Sequence, residues 1–86
     1  MHTVELLEEA LRAAEALGYQ VRREWLGGVG GGNCEIKGRK HVFIDLSLSL
    51  PDQLQQALAA LRVEPRMAHA EVSTELRRQL HGRRAA

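Results

Sequence analysis

Cys34, His41 and Asp45 are the residues of this chain whose types could together perform covalent chemistry. An imidazole beside a thiol can take its proton, and a carboxylate can orient the ring, as nucleophilic catalysis requires. Whether they meet depends on a hairpin. The segment Lys37-Gly38-Arg39-Lys40 has glycine where a two-residue type II′ turn needs it, at the first central position. Residue 36 then faces 41, and 34 faces 43. Cys34, Ile36, His41, Phe43 and Asp45 share one face in that register, with Cys34 and His41 diagonal neighbours. A slip of one residue would part them. The bland alternative makes Cys34 a small buried hydrophobe, and a third reading makes it a redox-sensing thiol.

The second chemical candidate is the run Gly27-Gly28-Val29-Gly30-Gly31-Gly32. Loops of this kind cradle phosphates when a helix follows. Here a strand pattern follows. Taking Gly28 and Gly30 as the start of G-x-G-x-x-G puts Asn33 where the third glycine belongs, and a P-loop reading finds Asn33-Cys34 in place of Lys-Ser/Thr. What remains is a tight or mobile connector, or a loop that touches a ligand or partner through Trp25, Gly27, Gly28, Gly30, Gly31, Gly32 and Asn33. Trp25 is the aromatic that could serve as its platform, although a tryptophan more commonly packs inside.

His2, His41, His69 and His81 show no pair at metal-binding spacing, and one cysteine serves the whole chain. We expect no metal and no cofactor. Glu8 and Glu9 belong to a solvated helix face, and Glu24 and Glu35 stand alone. No catalytic or metal motif is complete, so an enzyme is not the expectation. Net charge is +1, but residues 1–18 sum to −3 and residues 62–86 to +3. The basic end includes Arg62, Arg66, Arg77, Arg78, Arg83 and Arg84. Arginines there complement a helix C-terminus. They also make weak nucleic-acid binding an alternative, through Arg77, Arg78, Arg83 and Arg84, without aromatic residues for stacking.

The elements that must position these residues follow from periodicity. Val4, Leu7, Leu11, Ala14 and Leu17 recur at helical spacing behind Thr3 as N-cap, and Gly18 ends that helix. Tyr19 to Leu26 alternates as a strand, Cys34 to Lys37 is a short second strand, and His41 to about Ser47 a third. The third is apolar on both faces and so should be central or doubly covered. Ser49 and Asp52 form a capping-box pattern around Pro51, opening a helix with Leu50, Leu54, Ala57, Leu58 and Leu61 on its apolar face. Beyond Pro65, Ala68, Val72, Leu76 and Leu80 repeat every four residues, a narrow stripe on a helix ending at Gly82. The spacing predicts α-β-β-β-α-α: one α+β domain over 1–82, a three-stranded antiparallel sheet with helices mainly on one face, and a flexible basic tail over 83–86.

Eighty-six residues with 3% aromatic content must build a small core of leucine, valine, isoleucine and alanine. A single cysteine forms no internal disulfide, which favours a reducing compartment. No apolar run is long enough for a bilayer, and the N-terminus has no signal-peptide pattern. We expect a cytoplasmic protein without membrane contact.

Residues 38–63 resemble part of the ImmA/IrrE-type zinc metallopeptidases. Val42-Phe43-Ile44-Asp45 is similar to their apolar strand, Leu48-Ser49 to the turn, and Leu54 to Leu61 to the helix that carries HExxH. Here the motif's place reads Ala59-Ala60-Leu61-Arg62-Val63, without histidine or glutamate. The resemblance implies a zincin-like scaffold without metal or peptidase activity, and no catalytic residue carries over. The expectation is thus a non-catalytic protein-interaction or assembly module, associating with itself or a protein partner. It would use helical surfaces and the glycine loop.

Overall fold

The computed structural model describes residues 2–82, and the expected basic tail lies outside them. Helical spacing of leucine and alanine folds Thr3–Ala16 into α1. Its N-cap is His2 rather than Thr3, because the Glu5 carboxylate reaches back to accept the His2 backbone N–H at 3.1 Å. Gly18 then ends the helix with φ +96°, and Tyr19 turns inward.

Three strands follow: β1, Gln20–Glu24; β2, Gly32–Ile36; β3, Arg39–Asp45. Their order in the sheet is β1-β3-β2. The central position of β3 agrees with its two apolar faces. The antiparallel expectation is corrected: β2 and β3 are antiparallel, but β1 runs parallel to β3, with Val21 beside Val42 and Arg23 beside Ile44. The cause is the connector. Seven residues, 25–31, separate β1 from β2, more than a tight hairpin uses. This arch carries the chain past the end of β3, so that β2 returns on the far side. The arch and β2 together form the long crossover that a parallel pair requires.

The β2–β3 turn also differs from expectation. Lys37 (φ 51°) and Gly38 (φ 79°) are its central residues, the two left-handed positions of a type I′ turn, in place of Gly38-Arg39 in type II′. The register moves by two residues. Cys34 therefore lies directly opposite His41, and Ile36 opposite Arg39. A two-residue shift preserves the faces.

Ser49 caps α2, Leu50–Arg62, by accepting the Asp52 N–H at 3.3 Å. Leu54, Ala57, Leu58, Ala60 and Leu61 are buried, whereas Leu50, expected on that face, is 44% exposed at the first turn. The predicted last helix is two pieces: a 3-10 turn, Pro65–His69, and α3, Thr74–His81. Ser73 breaks the run. Its hydroxyl caps α3 at the Leu76 N–H (3.1 Å), while its own N–H and hydroxyl donate to Glu9 of α1 at 2.6 and 2.7 Å. The Arg77 guanidinium secures the gap by donating to the carbonyls of Met67 and Ala70.

Val42 and Ile44 face α1 and α2 across one core, and α3 adds Leu76 and Leu80 by packing across both helices. His41 and Phe43 point to the opposite face of β3. Their rings stack with centroids 5.9 Å apart, and the Arg22 guanidinium lies 5.8 Å from the Phe43 centroid. None of the described helices is long and apolar enough to cross a membrane.

Candidate functional site

Asp45 ends β3 and is fully buried, a costly place for a carboxylate without partners. Its partners come from the glycine arch and from Ser47, just beyond the strand. Oδ1 accepts the Leu26 N–H (2.9 Å), the Ser47 N–H (2.9 Å) and the Ser47 hydroxyl (2.7 Å), and Oδ2 accepts the Gly28 N–H at 2.6 Å. Burial pushes the carboxyl up, but the Ser47 hydroxyl and the three backbone N–H groups outweigh it and leave it lowered to about 2. Gln56 of α2 adds a second post. Its Oε1 accepts the Asp45 N–H at 2.8 Å, and its Nε2 donates to the Gly30 carbonyl at 3.0 Å.

Two glycines are required by this geometry. Gly28 has φ +83° while offering its N–H to Asp45. At Gly31, φ is +110° and a Cβ would overlap the Gln56 amide. The arch is thus a closed anion nest whose anion is the protein's own Asp45 carboxylate. The Leu26 and Gly28 amides, which could otherwise meet an outside anion, already have their acceptor. What the arch offers outward is apolar: Trp25 is 74% exposed and Val29 is 91% exposed. The interior packing usual for tryptophan does not hold here, because β1 ends at Glu24 and Trp25 begins the arch.

Cys34 is exposed and His41 is buried, on opposed positions of β2 and β3. The His41 Nδ1 lies 3.0 Å from the Arg39 carbonyl, so in the neutral ring Nδ1 carries the proton and donates. The thiol lies 3.9 Å from the Glu35 carbonyl. Asp45 is directed to the arch and Ser47, so the imagined orienting carboxylate has another role. Cys34 also borders an open cleft of about 280 Å³ with Tyr19, Asn33, Glu35, Lys40 and Val63.

Behind that cleft, Glu64 is a second buried carboxylate, 4% exposed. It accepts from the Tyr19 hydroxyl (2.8 Å), Lys40 Nζ (3.3 Å), Arg66 Nε (2.8 Å) and the Arg66 N–H (3.1 Å). The Arg66 side chain and N–H, then the Tyr19 hydroxyl, hold its carboxyl well below the usual range against its burial, with Lys40 assisting. Burial, then the bond to Glu64 and its charge, push the Tyr19 phenol up. This cluster ties the start of β1, β3 and the 3-10 turn together. The sequence signal for it is Glu64 immediately before Pro65, a carboxylate at an N-cap. Gln56 and the anchoring role of Asp45 had no comparable local signal.

Of the arginines, Arg62 donates to the carbonyls of Leu80 and Gln79, satisfying the end of α3, and Arg77 is held by Met67 and Ala70. Arg78 pairs with Glu75. Arg83 and Arg84 lie outside the described residues. Where an HExxH helix would carry metal ligands, Ala60 and Leu61 are core residues. Among the described residues, no three His, Cys, Asp or Glu side chains are grouped to hold a metal ion.

The fold and arch define a small α+β domain with a mixed three-stranded sheet. No protein-family model matches the chain, and no curated protein or solved structure matches it either.

Proposed function

We propose that the protein is a non-catalytic interaction or assembly module whose glycine arch is a contact surface. The observation that carries this reading is the exposure of Trp25 and Val29 on a segment anchored from beneath by Asp45 and Gln56. A rigid, exposed aromatic contributes contact area at little entropic cost on binding. Most of the apolar face of each helix is occupied by the core, with Val4 and Leu50 left exposed, and the arch adds its own exposed apolar surface to those of the helices. A cytoplasmic setting accords with the free, exposed Cys34 thiol. The likeness of residues 38–63 to the ImmA/IrrE strand–helix unit fits the same picture, as a scaffold without metal ligands.

The test measures self-association and partner capture by wild type and by the Trp25→Ala, Val29→Ser double variant. We expect at least about a tenfold loss of affinity, with Tm within a degree or two of wild type, because neither side chain supports the core. A wild type that is monomeric at high concentration, and whose captured proteins ignore the substitutions, would sink the reading.

A second reading is a thiol enzyme or redox sensor, favoured by Cys34 standing opposite His41 beside an open cleft. Its test is the alkylation rate of Cys34 against pH. Rapid reaction well below the ordinary thiol pKa of about 8.5 supports it, and an ordinary profile removes it. Nucleic-acid binding would rest on Arg78, Arg83 and Arg84, since Arg77 is engaged with carbonyls. Failure to retain single-stranded RNA or DNA at low salt would end that alternative.

A further inference from the structure

Among the described residues, no strand pairs with the outer side of β1 or of β2, and these two edges are not equivalent. β1 presents Arg22 at its centre with Arg23 beside it, and like charges set opposite one another oppose strand pairing. β2 reads Gly32-Asn33-Cys34-Glu35-Ile36, with an uncharged centre, and Asn33 to Ile36 are all exposed.

The turn fixes which backbone groups that edge displays. Strands joined by a two-residue turn have a hydrogen-bonded pair flanking it, and bonded and non-bonded pairs then alternate. Ile36↔Arg39 is therefore bonded, Glu35↔Lys40 is not, Cys34↔His41 is bonded and Asn33↔Val42 is not. The N–H and C=O groups of Asn33 and Glu35 consequently point away from β3, toward the open side.

We propose that this edge pairs antiparallel with the β2 edge of a second copy, about a two-fold axis at Cys34. The inference rests on the assembly reading above and adds to the arch a second surface, the β2 edge, with its own partner. In that register, Asn33 exchanges both backbone bonds with Glu35 of the other copy, and the symmetry repeats the exchange. All four outward groups of each strand are satisfied. The Asn33 amide faces the Glu35 carboxylate, a neutral donor against an anion, with no like charges opposed. Ile36, 41% exposed in the single chain, lies across from Gly32, beside which there is open space. Cys34 meets its mate in a non-bonded pair, with Cα atoms about 4.5 Å apart, within disulfide range. The result is one six-stranded sheet. So short a seam falls below the ~800 Å² per partner of a stable interface, so the pairing is weak and reversible.

The experiment follows disulfide formation between copies with diamide, which accepts the two electrons and two protons released when two thiols join. Wild type is compared with Glu35→Pro. Proline removes an outward N–H and leaves the β2–β3 ladder its bonds. We expect cross-linking to slow at least about tenfold, the loss of two symmetry-related hydrogen bonds. Thermal stability and Cys34 reactivity toward a small alkylating agent should stay as in wild type. Native mass and hydrogen exchange at Asn33 and Glu35 against protein concentration give an independent readout, compared with Cys34→Lys, which sets like charges face to face. Protection that rises with concentration in wild type, and is absent in Cys34→Lys, supports the pairing even if Glu35→Pro fails to fold. Equal cross-linking rates, or no concentration-dependent protection, overturn it. A wild-type dimer indifferent to these β2 substitutions removes this edge while leaving the assembly reading intact, and that reading is decided separately by Trp25 and Val29.

Discussion

At the scale of single residues, Asp45 organises more of the molecule than any side chain near it. It closes the arch by accepting from Leu26, Gly28 and Ser47, and its carboxyl is lowered to about 2 from an ordinary 3.8. Its charge therefore stabilises the fold fully above the ordinary value. That contribution fades as pH falls toward 2. Glu64, held low by Arg66, Tyr19 and Lys40, acts in the same direction. We predict that Trp25 emission reports an acid transition of the arch between about pH 4 and 2. In Asp45→Asn the arch part of that transition should vanish, and Tm at neutral pH should drop, because an amide NH2 then confronts a backbone N–H donor. An unchanged Tm with an unchanged acid transition would show that the arch holds without the carboxylate. Both Cys34 and Asp45 were legible as residues of interest. The use of Asp45 was not, since the identity of its donors depends on a loop that returns from another strand.

At the scale of elements, local signals predicted starts and stops well. The Ser49–Asp52 cap, the Gly18 stop and a tight turn around Gly38 all appear where the residues indicate. The last helix is the instructive exception. Its four-residue stripe is continuous, yet Ser73 divides it because α1 supplies Glu9 as a partner. We predict that Ser73→Ala destabilises the protein by about 1–2 kcal/mol, the cost of an N-cap, measured by urea unfolding. Glu9→Gln should reproduce part of that loss if the α1 contact matters, and no effect would reduce Ser73 to a cap alone.

For the whole molecule, stability comes from one thin core shared by three helices and one sheet face. Leu76 is fully buried where α3 crosses α1 and α2. Leu76→Ala should cost roughly 2–5 kcal/mol. In a domain near the lower size limit, that is a large part of the total stability. Circular dichroism should show unfolding at a much lower urea concentration, or an unfolded chain at 37 °C. A shift below about 1 kcal/mol would mean that α3 adds little to the core. The sequence by itself determined the elements from α1 to α2 and their order, because helical and strand periodicity, caps and turn residues act over a few neighbours. It also narrowed β3 to a central or doubly covered strand, since both its faces are apolar, and the sheet order makes it central. Only the tertiary structure decided that β1 runs parallel to β3, that Trp25 stands outside, that Asp45 serves the arch and not His41, and that β2 keeps a free edge. Each of these depends on which distant segments meet, and local periodicity carries no record of that choice.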